Sequence, residues 1–135
     1  IYRVEETMQN TCDKLLELRQ RFKNINLDDK SSVWNTDWLY AIELDYQLDV
    51  AQAMAVSAVN RKESRGAHQR LDGPDGAYTQ RDDVNFLKHS DAFYVPDSAP
   101  RITYGDVKIT KSPPEARVYG AAGEKADQER KASHV

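Results

Sequence analysis

The sequence has one cysteine, Cys12, so no disulfide can form within the chain, and a chain without an internal disulfide suits a reducing compartment. It has no apolar run near the roughly 20 residues that a membrane-spanning helix needs. Nor does it carry an excess of either charge: 19 Lys and Arg against 22 Asp and Glu leave a formal net charge of −3. Without a strong positive field, nucleic acid and acidic lipid are poor candidate partners. The glycines are scattered through turns, and none makes the phosphate-cradling loop that opens a nucleotide-binding helix. His68, His89, His134 and Cys12 show no ligand spacing, which argues against a zinc site. The chain also lacks an initiator methionine. Helical periodicity is already running at Ile1, so we expect a piece of a longer protein.

What is present reads as helix first and extended chain later. Ile1, Val4, Met8, Leu15, Leu18, Phe22 and Ile25 recur at three- and four-residue spacings, with Thr11 in the gap, and form the seam of an amphipathic helix. Its other face is charged and includes Glu17 and Arg21 at i,i+4. The polar residues 24–32 read as a connection. A second helix is expected from the cap Asn35, with Trp34, Trp38, Ile42 and Tyr46 at intervals of four as core anchors. Asp49 with Gln52 three residues later has the pattern of a capping box, so a third, alanine-rich helix is expected to start there. Gly66 is expected to end that helix, with Arg61, Lys62 and Arg65 in its last turns.

The fold class is therefore mainly α: an antiparallel three-helix bundle of spectrin-repeat type over residues 1–70, followed by an extended C-terminal arm with short strands. The arm occupies 71–119. It opens with a loop at 72–80 and holds two extended segments, 85–95 and 101–110, read as an antiparallel pair. Such a pair is marginal in water by itself and needs a surface to lie on. Residues 120–135 are small and charged, and are expected to be disordered.

The stretch "RKESRGAHQRLD", residues 61–72, concentrates the polar chemistry. Ser64 and His68, with Glu63 and Asp72 nearby, can be drawn as a nucleophile and its base. However, Gly66 interrupts the helix between them and nothing supplies an oxyanion hole, so a hydrolase is disfavoured. Arg81, Asp82 and Asp83 read as an ion-pair network, because an arginine inside the cluster opposes a cation. The reading we prefer is a docking joint. Arg61, Glu63, Ser64, Arg65, Gly66 and His68, with Arg81, Asp82, Asp83 and His89 from the following segment, would hold the helix end to another domain or to the arm itself.

The ordered run "NTDWLYAIEL", "RKESRGAHQRLD", "RDDVNFLKH", "YGDVKIT" and "PPEARVYG" resembles the C-terminal region of the succinate dehydrogenase and fumarate reductase flavoprotein family, over nearly all of residues 1–120. Within it, the run looks most like bacterial fumarate reductase flavoprotein subunits. Succinate dehydrogenase is the near alternative, and L-aspartate oxidase shares the ESRG-type segment. The loop at 73–80 is longer than the family's usual link, and the tail after Gly120 lies outside the shared pattern.

The resemblance implies a subunit that reduces fumarate to succinate in anaerobic respiration. Its covalent FAD, substrate-binding and proton-donating residues would all lie in other parts of the chain, so no catalytic, cofactor-binding or metal-binding residue is expected here and the chain alone should be inactive. Implied partners are the FAD-binding domain of the same chain, an iron-sulfur subunit and membrane anchor subunits, on the cytoplasmic face of the bacterial plasma membrane, with no insertion by this segment. A free-standing helical interaction module is the reading from a different class.

Overall fold

The computed structural model describes residues 2–115 and 120–121. Strand β1 (Tyr2–Arg3) leads directly into helix α1 (Glu5–Phe22), and helix α2 (Thr36–Asn60) follows a polar connection. Strand β2 (Gln69–Arg70), a pair of 3-10 turns over Pro74–Thr79, the short helix α3 (Asp83–Phe86) and strands β3 (Lys88–Phe93) and β4 (Arg101–Asp106) complete the order. Most of the residues expected to form a disordered tail, 122–135, lie outside the described residues.

The first helix obeys its seam, although it begins at Glu5 and not at the first residue. Val4 is extended, and Tyr2 and Arg3 pair in parallel with Gln69 and Arg70. Glu5 and Glu6 in the first turn and Arg19 and Arg21 in the last complement the helix dipole. Val4 has no side chain able to cap the helix. The cap comes from far along the chain, where Asp72 Oδ2 accepts the backbone N–H of Glu5 at 2.6 Å.

Two long helices stand where three were expected. Residues 36–60 form one continuous helix of 25 residues, capped by Asn35, whose side chain accepts the N–H of Trp38 at 2.8 Å. Asp49 does not open a new helix. Its carboxylate is taken by an ion pair with Arg19 of α1, Gln52 is buried, and no glycine or proline interrupts the run. The helices run antiparallel: Met8 and Leu15 lie beside Ala51, Ala55 and Ala58, whereas Leu18 and Phe22 lie beside Leu44 and Leu48. Met8, Cys12 and Leu48 are the buried hydrophobic residues among the described ones, a small core for such helices.

The helix ends at Asn60, six residues before Gly66, and its last turn holds no basic residue. Gly66 does take the left-handed conformation, with φ +57°, but in a tight turn where Arg65 and His68 exchange backbone hydrogen bonds of 2.8 and 3.0 Å. Strands β3 and β4 form the antiparallel hairpin that the sequence suggested, in register from Lys88 opposite Asp106 to Phe93 opposite Arg101. It folds back on the C-terminal half of α2 and does not run on as an extended arm. Tyr94, Val95 and Pro100 lie beside Ala53, and Lys23 pairs with Asp97 of the hairpin connection.

The tryptophans are not core anchors. Trp34 is 93% exposed and Trp38 62% exposed. Apolar residues surround the whole of α2, and α1 and the hairpin cover only part of its circumference. Leu39, Tyr40, Tyr46, Val50 and Met54 remain in solvent.

Candidate functional site: a buried polar joint

The end of α2 opens into two linked ionic clusters. The first centres on Glu63, which is 0% exposed. Because Arg61 and residues beyond it leave the helix, the Glu63 carboxylate turns inward and meets four donors. Oε1 accepts from Arg61 Nη1 at 2.5 Å and Arg65 Nε at 2.8 Å. Oε2 accepts from Arg65 Nη2 at 2.9 Å and the backbone N–H of Asp82 at 2.8 Å. Arg65 thus grips the carboxylate with a two-pronged fork, the geometry that guanidinium favours.

Burial alone would push the Glu63 carboxyl up, but the Arg65 fork, the Asp82 amide and Arg61 more than reverse it and hold its pKa below the ordinary value. Arg65 is held further into its charged form, first by Glu63 and then by Asp83, whose Oδ1 lies 2.6 Å from Arg65 Nη2. Asp82 caps α3 by accepting the N–H groups of Val84 and Asn85. Arg81 pairs with Asp83 at 2.9 Å and donates to the carbonyl of Pro114 at 3.3 Å.

Arg61 carries this cluster to the hairpin. It donates to the carbonyls of Phe86 and Lys88, each at 3.0 Å, and to Ser90 Oγ at 2.9 Å, and it lies over the Phe86 ring.

The second cluster centres on Arg70, which is 1% exposed. Asp72 takes Nε and Nη2 in another fork at 2.7 and 2.6 Å, Glu5 Oε2 accepts from Nη2 at 2.9 Å, and the carbonyl of Val59 accepts from Nη1 at 3.2 Å. Arg70 also stacks on Tyr78 with its guanidinium 4.8 Å from the ring centroid. The hydrogen bonds of Arg70 hold the Asp72 and Glu5 carboxyls below their ordinary range. At Gly73, with φ +98°, a Cβ would sit 2.6 Å from the Tyr78 ring, so the close packing of this turn depends on glycine.

Ser64 and His68 lock the clusters together and do not form a nucleophile and base. Ser64 Oγ accepts the N–H of Arg70 at 2.8 Å and donates to the carbonyl of Tyr78 at 2.9 Å. His68 Nδ1 lies 3.1 Å from Arg3 Nη1 and must accept from it, so the ring proton belongs on Nε2, which donates to the Arg61 carbonyl at 3.0 Å. Burial comes first, with the Arg3, Arg70 and Arg61 charges adding, in lowering the His68 pKa below its ordinary 6.5.

Nine of the ten residues selected from the sequence therefore converge. His89 does not: it is exposed on β3 and faces the open cleft beside Arg3, His68 and Lys88. Sequence reasoning missed Arg3, Glu5 and Arg70, and noted Asp72 only beside the rejected nucleophile and base. Arg70 and Asp72, two apart in extended chain, offered a signal. The Arg70 link to Glu5, 65 positions away, offered none. No group of three or more His, Cys, Asp or Glu side chains among the described residues is placed to hold a metal ion. No helix among them is long and apolar enough to cross a membrane.

The comparisons agree with this architecture. A fumarate reductase flavoprotein subunit from a Serratia species is 64% identical over 132 residues, which make up 96% of this chain and 22% of that protein. The Escherichia coli subunit is 59% identical, with 95% of this chain and 21% of its own length covered. A solved structure of Escherichia coli quinol fumarate reductase FrdA superimposes with a TM-score of 0.81 at 60% identity, covering 88% of this chain and 20% of that one. Mycobacterium smegmatis Sdh1 gives 0.68 at 27% identity, over 81% of this chain and 18% of its own. The chain thus spans about a fifth of the length of the relatives it matches. The family model described as fumarate reductase flavoprotein C-term matches residues 1–119, and the chain belongs to that family.

Proposed function

We propose that this chain is the C-terminal structural part of a fumarate reductase flavoprotein subunit, and that it holds the subunit together without touching the reacting atoms. The whole subunit would reduce fumarate to succinate in anaerobic respiration. Its FAD, covalently held, would sit in the domain outside this chain, and an iron-sulfur subunit and membrane anchor subunits would complete the complex on the cytoplasmic face of the membrane. Fumarate reductase is favoured over succinate dehydrogenase because fumarate reductase relatives are 41–64% identical while succinate dehydrogenase relatives stand at 36%.

The junction that leads into α1 does not fit the diphosphate of a flavin dinucleotide. The strand-to-helix junction at Arg3, Val4 and Glu5 has no glycine, and Glu5 and Glu6 place negative charge in the turn where a diphosphate would need N–H groups and positive field. The role proposed for the chain is mechanical. Arg61, Glu63, Ser64, Arg65, His68, Arg70 and Asp72 form a joint that fixes α1, α2 and the hairpin to one another, and α2 offers its open side to the flavin domain.

The observation that carries this reading is the open apolar side of α2, where Leu39, Val50 and Met54 stand in solvent. Several large apolar side chains left in solvent along one helix suit a contact site. The test is to express the rest of the subunit with and without this chain as a separate polypeptide. We expect the rest alone to lose flavin retention and fumarate reduction, and both to return when the chain is co-expressed and co-purifies. A remainder that keeps its flavin and turns over without the chain would overturn the reading.

A further inference from the structure

The connection before α2 displays an aromatic knob. Trp34 is 93% exposed and held at φ +58°, a conformation that L residues adopt at a cost of about 1–2 kcal/mol. Asn35 braces it: its Nδ2 donates to the carbonyls of Asp29 and Ser31, both at 2.9 Å, while its Oδ1 caps α2. Four residues further on, Trp38 lines an open furrow with Phe22, Ile25, Leu27, Ile42 and Tyr46. Asp28, Asp29 and Asp37 share the loop and the first turn of α2 with Trp34, against Lys30, and Asp45 lines the furrow; Arg21 and Lys23 at the end of α1 are already paired with Glu17 and Asp97.

We propose that Trp34 and the furrow lined by Trp38 are the anchor by which this chain seats on the rest of its own flavoprotein subunit, in an apolar pocket rimmed by Lys or Arg side chains. This rests on the structural role proposed above and adds the place and chemistry of the contact. Charge selects the occupant. A second copy of the chain in a two-fold contact would bring the acidic rim against itself, and an anionic lipid surface would repel it. A basic-rimmed pocket meets both the indole and the carboxylates. About four-fifths of the relatives' length lies outside this chain, enough to supply that surface. A braced, solvent-facing tryptophan is also the residue type that most often dominates binding energy at interfaces.

The experiment is hydroxyl-radical footprinting of the intact subunit, read by mass spectrometry, with the unfolded subunit as reference. Trp34 and Trp38 are expected to be oxidised ~10-fold more slowly in the native subunit, as for a desolvated anchor. Trp34→Phe should keep Trp38 protected, whereas Trp34→Ala should restore several-fold of its reactivity, and high salt should do so in part. Trp34 reacting at the unfolded rate while Met54 is protected would overturn the anchor and leave the docking reading standing. Reactivity of both would overturn the docking reading as well. Protection of Trp34 only after other subunits join would assign the pocket to a different polypeptide and overturn the occupant named here.

Discussion

Two regions of this molecule invert the usual arrangement of a folded chain. At one end of α2, Glu63 and Arg70 are buried with exposures of 0% and 1%, while at the other Trp34 is 93% exposed. Charge lies inside and indole outside. The difference separates what is finished from what is not. In the joint every prong of the buried carboxylate and guanidinium meets a partner from the same chain, so the desolvation cost of the ions is answered locally. On the open side of α2 the exposed apolar surface finds no such answer among the described residues, and the docking proposed above would supply it from the rest of the subunit.

The strongest way to break the comparison is to break the joint. Glu63→Ala removes the acceptor of Arg61, Arg65 and the Asp82 amide together, and loss of one partner in a buried ionic cluster costs about 3–5 kcal/mol. Urea denaturation of the chain should show that loss. The double variant Glu63→Leu, Arg65→Met should lose less than Glu63→Ala alone, since no orphaned charge would remain between those two positions. Equal losses would mean that the fork contributes nothing specific.

The open side should respond in the opposite way. Val50→Lys places a charge on an exposed position, and in the separate chain its effect on stability should stay within about 0.5 kcal/mol. In the intact subunit the same ammonium would have to be buried without a partner, at a cost of several kcal/mol. Thermal unfolding of both forms, each with and without the substitution, checks this. A similar small shift in both would mean that the Val50 side of α2 stays in water throughout.

This contrast also marks what could be read in the sequence. The α1 seam was legible because its apolar residues share one face, and the hairpin because β-formers flank a proline-bounded connection. The continuity of α2 was not, because Asp49 and Gln52 imitate a helix start; only the position of Arg19 across the helix pair gives Asp49 another role. The tryptophans misled for a physical reason: apolar spacing says that a side chain will be buried, not whether its cover comes from the same chain. The polar joint was found from the density of charge in residues 61–72, yet its inward direction was hidden. Arg70 needs Glu5 from the other end of the sequence, and no local pattern records that pairing.

Acid should test the joint more gently. His68 is kept neutral below its ordinary pKa of 6.5, so the unfolded chain binds a proton that the folded chain refuses. Its contribution to stability is complete above pH 6.5 and is lost as pH falls through the lowered value, with a slope of at most ~1.4 kcal/mol per pH unit. Glu63, Asp72 and Glu5 act in a lower window: their depressed pKa values keep stability present above the ordinary carboxylate range and remove it only below that range. His68→Gln keeps an N–H for the Arg61 carbonyl and an oxygen for Arg3. It should flatten the pH dependence below about pH 6.5 while leaving stability at pH 8 nearly unchanged, as followed by urea titration at each pH.

The most local test belongs to the turn that aims the joint. Gly66 at φ +57° lets the chain reverse between Arg65 and His68, and this reversal sends one side chain to Glu63 and the other to Arg3. A Cβ there would meet nothing within 4 Å, so the penalty of Gly66→Ala is conformational alone, about 1–2 kcal/mol, and Gly66→Asn should lose less because asparagine tolerates the left-handed region. If the turn merely connects, both variants should weaken the fold and leave His68 as it was. If it sets the register of the joint, Gly66→Ala should also raise the His68 pKa towards its ordinary value, a change that NMR titration of the ring reads directly and that separates aiming from simple loss of stability.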